Sequence, residues 1–253
     1  MSLPSDEQLR RRTAMGRGVQ PWVSGSDMLG RVDDDGWLLL SGSSSPDMNL
    51  ALLHREDADA LAGAVTEIEE RGLNALIMLA GEGKGLAPLV PPGFARVGEM
   101  PIMSKRLDGS DVGDDRVRPA TPADRGAVNE ALRAAYGLPQ DAIELATAPL
   151  EVPQGPLRIW VLEQDGEVVS AVTTTRIDDT VGIWTMATPP AHERKGYGRA
   201  LLGAVLTWAE SDGASLGLLG ATPAGLPLYE ATGWEVDETW DLYVNAPSEQ
   251  FSS

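Results

Sequence analysis

The chain contains no cysteine, which excludes disulfides, a thiol nucleophile and any cysteine-ligated metal. Histidine is almost as scarce: His54 and His192 are too few for a histidine-rich centre, so no metal is expected. No run approaches the ~20 consecutive apolar residues that a membrane helix needs. The polar stretch Met1–Arg12 lacks an apolar signal-peptide core, so a cytoplasmic protein is expected. Basic residues are the minority, 20 Lys and Arg against 38 Asp and Glu, for a net charge of -18 at pH 7. A surface of that sign repels nucleic-acid phosphates and anionic lipid, so neither nucleic acid nor membrane is an expected partner. The acidic excess serves solubility, or draws in a cationic acceptor such as an amine; composition does not separate the two.

What is present reads as ordinary globular protein. At 253 residues the chain has room for two modest cores. The stretch Leu107–Asp115 (LDGSDVGDD) is polar, has no apolar period and reads as a linker, giving domains at 1–107 and 116–253. After it, Val117 opens a short strand. Thr121-Pro122-Ala123-Asp124 then forms a helix start, and Ala127, Val128, Ala131, Leu132 and Ala135 continue it on one apolar face. Gly137-Leu138-Pro139 stops that helix. Leu157–Leu162 and Val168–Arg176 flank a tight turn at Asp165-Gly166, a hairpin signal, and Val181–Thr188 is a third strand. A helix over Arg199–Glu210, a strand over Leu216–Ala221, a short helix at Leu226–Ala231 and a final strand at Trp234–Val244 complete the order.

The first half repeats part of this pattern. At a constant offset of 140 residues, Ala60-Leu61 matches Ala200-Leu201, Gly63-Ala64-Val65 matches Gly203-Ala204-Val205, Leu79 matches Leu219, and Gly93-Phe94 matches Gly233-Trp234. Asp35-Gly36-Trp37 resembles the turn at Asp165-Gly166, there at an offset of 130, so the first half is shorter by ten residues. A register that runs through helix, strand and Gly-aromatic corner argues for two related units rather than coincidence.

The chemistry concentrates in Met186–Leu202 (MATPPAHERKGYGRALL). A strand ends, a loop with two glycines follows, and a helix begins. Such a turn aims free backbone N–H groups at one spot, at the positive end of the helix dipole. Gly196 and Gly198 carry no Cβ, so a pyrophosphate can come close to the backbone. Arg194, Lys195 and Arg199 invert the local charge of an acidic chain. A lone Gly-x-Gly before a helix is weak, and is often no more than a tight connection. It is neither a dinucleotide fingerprint, since the third glycine is absent, nor a P-loop, since no Gly-Lys-Ser/Thr follows.

Together with Ala224–Glu235 (AGLPLYEATGWE), about thirty residues on, this segment resembles the GNAT superfamily of N-acetyltransferases. RKGYGRALL looks like that family's acetyl-CoA motif, Arg/Gln-x-x-Gly-x-Gly/Ala, and LYEATGW looks like its Leu-Tyr-x-x-x-Gly-Phe. The resemblance covers Val117–Val244. Glu193 departs from it, standing where Arg or Gln is usual, and Thr222 stands where many members have a cofactor-contacting Asn.

The resemblance implies an α/β fold of two tandem GNAT-like units. Each would be a mixed, mostly antiparallel sheet flanked by helices, with the central strands splayed at the cofactor site. It implies acetyl-CoA as co-substrate and a small-molecule or peptide amine as acceptor. Met186, Ala187 and Thr188 would meet the pantetheine arm through unpaired backbone groups, one N–H holding the oxyanion. Arg194, Lys195, Gly196, Tyr197, Gly198, Arg199 and Ala200 would take the pyrophosphate, with Thr222 nearby. Tyr229 would protonate the departing thiolate; the plainer reading makes it a packed aromatic. The general base is unassigned, His192 reads as a solvent-facing loop residue, and Trp160, Trp184, Trp208, Trp234 and Trp240 read as core and acceptor-pocket wall.

At the offset of 140, His54-Arg55-Glu56-Asp57-Ala58-Asp59 replaces the cofactor loop and Leu89 replaces Tyr229, so the first unit is expected to be degenerate. Oligomeric state is open, the two halves being able to act as a pseudo-dimer. The alternatives are a non-enzymatic acyl-CoA sensor and a transferase of longer acyl chains.

Overall fold

Strands and helices alternate along the chain, and the computed structural model, which describes residues 6–23, 28–33, 36–152 and 154–245, is an α/β protein of mixed sheet flanked by helices. Among the described residues no helix is long and apolar enough to cross a membrane. The chain divides into two compact units, Met1–Ile102 with Val236–Ser253, and Met103–Glu235.

The first unit holds α1 (Asp6–Val19), β1 (Leu29–Asp33), β2 (Gly36–Leu40), β3 (Asn49–Leu53), α2 (Ala58–Glu70) and β4 (Leu76–Leu79). Strand β5 (Ala95–Arg106) begins in it, and β11 (Glu235–Val244) returns to it from the end of the chain. Its strands lie in the order β1-β2-β3-β4-β11, antiparallel except for the β3–β4 pair. The short apolar runs Gly36–Leu40 and Leu76–Leu79 are buried along their whole length, as strands covered on both faces must be. Helix α2 turns Leu61, Ala64, Val65 and Ile68, at helical spacing, into a core with Leu38, Leu53, Ile77 and Leu79. Each of the leucine, isoleucine and valine side chains contributes ~1.5–3 kcal/mol by burial. Asp35 of the matched turn lies outside the described residues.

The second unit holds the end of β5 from Met103, then β6 (Val117–Pro119), α3 (Arg125–Tyr136), α4 (Gln140–Thr147), β7 (Leu157–Gln164), β8 (Glu167–Ile177) and β9 (Thr180–Ala187). Helix α5 (Tyr197–Ser211), β10 (Leu216–Gly220) and α6 (Leu226–Glu230) complete it. Its order is β5-β10-β9-β8-β7-β6, with β9 and β10 parallel and β6 to β9 antiparallel to their neighbours. Leu201, Leu202, Val205, Leu206 and Ala209 of α5 pack on Trp160, Leu162, Val172, Val181 and Ile183. The Thr121 capping box with Asp124 is present, but Pro122–Asp124 is a single 3-10 turn ahead of α3. Gly137 stops α3 at φ 63°, a conformation that suits glycine. Helix α4 was not legible in the sequence.

The expected division at 1–107 and 116–253 differs from these units in two places. The polar linker lies inside the second unit, where Lys105 pairs with Asp111 at 2.6 Å. The last strand lies in the first unit, where Asp241 to Val244 pair with Leu79 to Leu76. There Glu238 receives a two-pronged bond from Arg12, a side chain only 2% exposed, and Trp240 meets Trp37 edge-on at 6.0 Å. Trp240 therefore builds the core of the first unit, not the second.

Candidate functional site

Three local features of the second unit converge on the end of β9. The first is a splay. β9 and β10 pair in register at Thr180–Leu216, Val181–Gly217 and Gly182–Leu218, and no further. From Ile183 onward β9 runs on without β10 as a partner, leaving strand backbone able to bond an added extended group.

The second is a bulge. β9 pairs with β8 at Trp184–Thr173 and again at Ala187–Ala171, so Thr185 and Met186 stand opposite the single residue Val172. Thr185 takes φ 44°, which for a β-branched residue stores of order 1–3 kcal/mol of strain. Side-chain bonds hold each bulged residue in turn. Thr185 Oγ1 donates to Thr173 Oγ1 at 2.9 Å, the Tyr136 hydroxyl donates to the Met186 carbonyl, and Ser170 Oγ donates to the Ala187 carbonyl at 3.1 Å. Ser170 also bonds the Thr188 hydroxyl at 2.8 Å.

The third is the loop. After Pro189 and one 3-10 turn at Pro190–His192, Arg194 and Gly196 turn left-handed at φ 60° and φ 83°. Gly196 stands just before α5 and has no side chain to bond the first-turn N–H groups, which therefore point outward at the positive end of the helix. Space is not what requires glycine at 196, for a Cβ there would meet nothing within 4 Å; the backbone angle is. Gly198 is the converse: its angle is ordinary, and a Cβ would sit 3.4 Å from Met186 Cε and 3.5 Å from Thr188 Oγ1, in the space above the strand end. Arg194, Lys195 and Arg199 are exposed, and among the described residues none of them pairs with a carboxylate; Lys195 Nζ bonds the Ala191 carbonyl at 2.8 Å. Tyr197 and Ala200 are half-buried against the core, with the Arg116 guanidinium 5.9 Å from the Tyr197 ring.

Tyr229, on α6, is buried and brings its hydroxyl 3.8 Å from Met186 Sδ, at the bulge. Its ring meets Trp234 edge-on at 5.9 Å. Burial pushes its phenol up to about 12, so it remains a proton donor throughout the neutral range. Thr222 accepts the Gly225 N–H on its hydroxyl at 3.2 Å and so caps the approach to α6. His192 does not face solvent freely: its ring is partly buried and Nε2 lies 3.1 Å from Glu167 Oε1. Trp160 and Trp234 are core residues, while Trp184 and Trp208 are half-buried. Sequence reasoning missed Tyr136, since nothing in the pattern of α3 distinguishes its last residue from packing.

Residues 127–234 match the model of the Acetyltransferase (GNAT) family. That stretch is a GNAT acetyltransferase domain. It takes in the splay, the bulge, the loop and Tyr229. A GCN5-related N-acetyltransferase from Kribbella flavida is similar in structure with a TM-score of 0.68 at 18% identity, covering 94% of this chain and 96% of that one. A GNAT-family structure described as an acetyltransferase, from Novosphingobium aromaticivorans, gives 0.61 at 15% identity over 93% and 97%. A GCN5-related N-acetyltransferase from Sphaerobacter thermophilus gives 0.56 at 16% over 86% and 83%. At these identities the likeness establishes the fold. A search of curated proteins found no match.

Proposed function

We propose that the GNAT domain moves the acetyl group of acetyl-CoA directly to an amine on a small molecule or peptide. The observation that carries this reading is the splay of β9 from β10 at the same place as the bulge and the uncapped start of α5. Acetyl-CoA supplies the acyl group already activated as a thioester. The first-turn N–H groups of α5, with Arg194, Lys195 and Arg199, hold its pyrophosphate, and the backbone of Met186, Ala187 and Thr188 meets its pantetheine arm. A backbone N–H beside the bulge stabilises the negative charge that grows on the carbonyl oxygen as the amine attacks. Tyr229 then gives its proton to the departing thiolate, and the proton that the attacking amine releases to solvent replaces it on the phenol. The first unit, Met1–Ile102 with Val236–Ser253, serves as a related unit that binds no acetyl-CoA.

The test is calorimetry with acetyl-CoA, followed by thiol release with a panel of primary amines. One acetyl-CoA per chain and amine-dependent release are expected. Binding without release to any amine would favour an acyl-CoA sensor, and absence of binding would overturn the reading.

A further inference from the structure

Of the three bonds that pin the bulge, two come from β8, the strand next door. The third comes from α3, where Tyr136 is the last helical residue before Gly137 turns the chain away. Met186 is thus gripped at two points by two phenols: Tyr136 takes its carbonyl, and the Tyr229 hydroxyl approaches its sulfur. We propose that Tyr136 is a positioning residue for acetyl transfer, holding the kink of β9 and with it the direction of the backbone N–H groups at Met186 and Ala187. This rests on the reading of Met186–Thr188 as the backbone that meets the thioester.

The physical case has three parts. A β-branched residue at positive φ relaxes toward extended backbone unless its surroundings over-determine it, and Thr185 is such a residue. A peptide unit is planar, so holding the Met186 oxygen also holds the Ala187 N–H and limits the turning of Met186 about its own dihedrals. A carbonyl only accepts, so the bond persists only while the phenol carries its proton. Burial, and after it the neighbouring Tyr229, raise the Tyr136 phenol above the ordinary tyrosine range, so that condition holds at neutral pH. Tyr136 is therefore a fixed hydrogen-bond donor and not a second proton source.

A purely structural Tyr136 would act through its ring, so the decisive change is Tyr136→Phe in the full chain, which keeps the ring and removes the donor. The probes are acetyl-CoA and CoA, which differ in the carbonyl that the N–H groups would meet. The Phe variant is expected to stay folded, melting somewhat earlier than the parent for the lost hydrogen bond, and to bind acetyl-CoA about tenfold more weakly, with CoA affinity changed by less than about twofold. Tyr136→4-aminophenylalanine, which restores a donor, is expected to recover the preference for acetyl-CoA. Equal affinities in parent and Phe variant, or losses of the same size for both probes, would overturn the proposal. A parent chain that binds no acetyl-CoA would overturn the functional reading itself, and is visible before any variant is made.

Discussion

The two units solve the same local problem in opposite ways. Each has a parallel pair of strands with a helix between them, β3–α2–β4 in one and β9–α5–β10 in the other. In the first unit the pair stays closed: Leu50 to Leu53 pair with Leu76 to Leu79, and Ala80 N–H adds a further bond to the Leu53 carbonyl at 3.0 Å. In the second the pair opens after Gly182. The helix starts differ in the same sense. Asp57 caps α2 by accepting from Asp59 and Ala60, whereas Gly196 leaves the start of α5 uncapped. The 3-10 segment Gly81–Leu89 after β4 also packs close against the end of β3, where a Cβ on Gly83 would lie 2.2 Å from the Leu53 carbonyl oxygen. Backbone polar groups find their partners within the protein, in water or in a ligand. At β3, β4 and the start of α2 the first unit supplies those partners itself.

The change expected to break this contrast most is made in the second unit's loop. Replacing Gly196 and Gly198 together by Val forces a branched residue to φ 83° and drives side chains against Met186 and Thr188. Acetyl-CoA binding should be lost, by ~10²-fold or more, in a chain that still folds. Calorimetry reads it, and an unchanged affinity would remove the loop from the site.

Next comes Tyr229→Phe, which tests whether the phenol that stands where the first unit has Leu89 is a catalyst or a packed ring. A fall in kcat of ~10²-fold with acetyl-CoA affinity unchanged is expected. In the parent the proton sits on a phenol pushed up to about 12, so kcat should show no loss of this donor until pH approaches that value. Thiol release against pH checks both statements. An unchanged kcat with a slow acceptor makes Tyr229 structural.

The smallest effect belongs to the first unit. Asp57→Ala removes the cap of α2 and should cost ~1 kcal/mol of that unit's stability, read by denaturant melts. The freed N–H groups should not create a second site, because β3 and β4 remain paired along their length. A titration giving two acetyl-CoA per chain, in the parent or in this variant, would contradict the contrast.

Sequence by itself determined the local parts. Thr121 with Asp124 marked a helix start, Gly137 its stop, Asp165-Gly166 the hairpin, and Gly196-Tyr197-Gly198 the turn into α5, because capping and left-handed turns depend on residues close in the chain. The offset of 140 also aligned the segment that forms α2 with the one that forms α5, and that of β4 with that of β10. Three things were decided only by tertiary structure. The last strand has the alternation of any half-buried strand, and that pattern does not name a partner; pairing with β4, far away in the chain, does. The bulge puts a threonine where its own preference is for extended backbone, so local propensity points the wrong way and only bonds from Thr173, Tyr136 and Ser170 hold it. Tyr136 ends its helix like any packed aromatic, and it joins the site only because α3 folds back to put its hydroxyl on the Met186 carbonyl, fifty residues on.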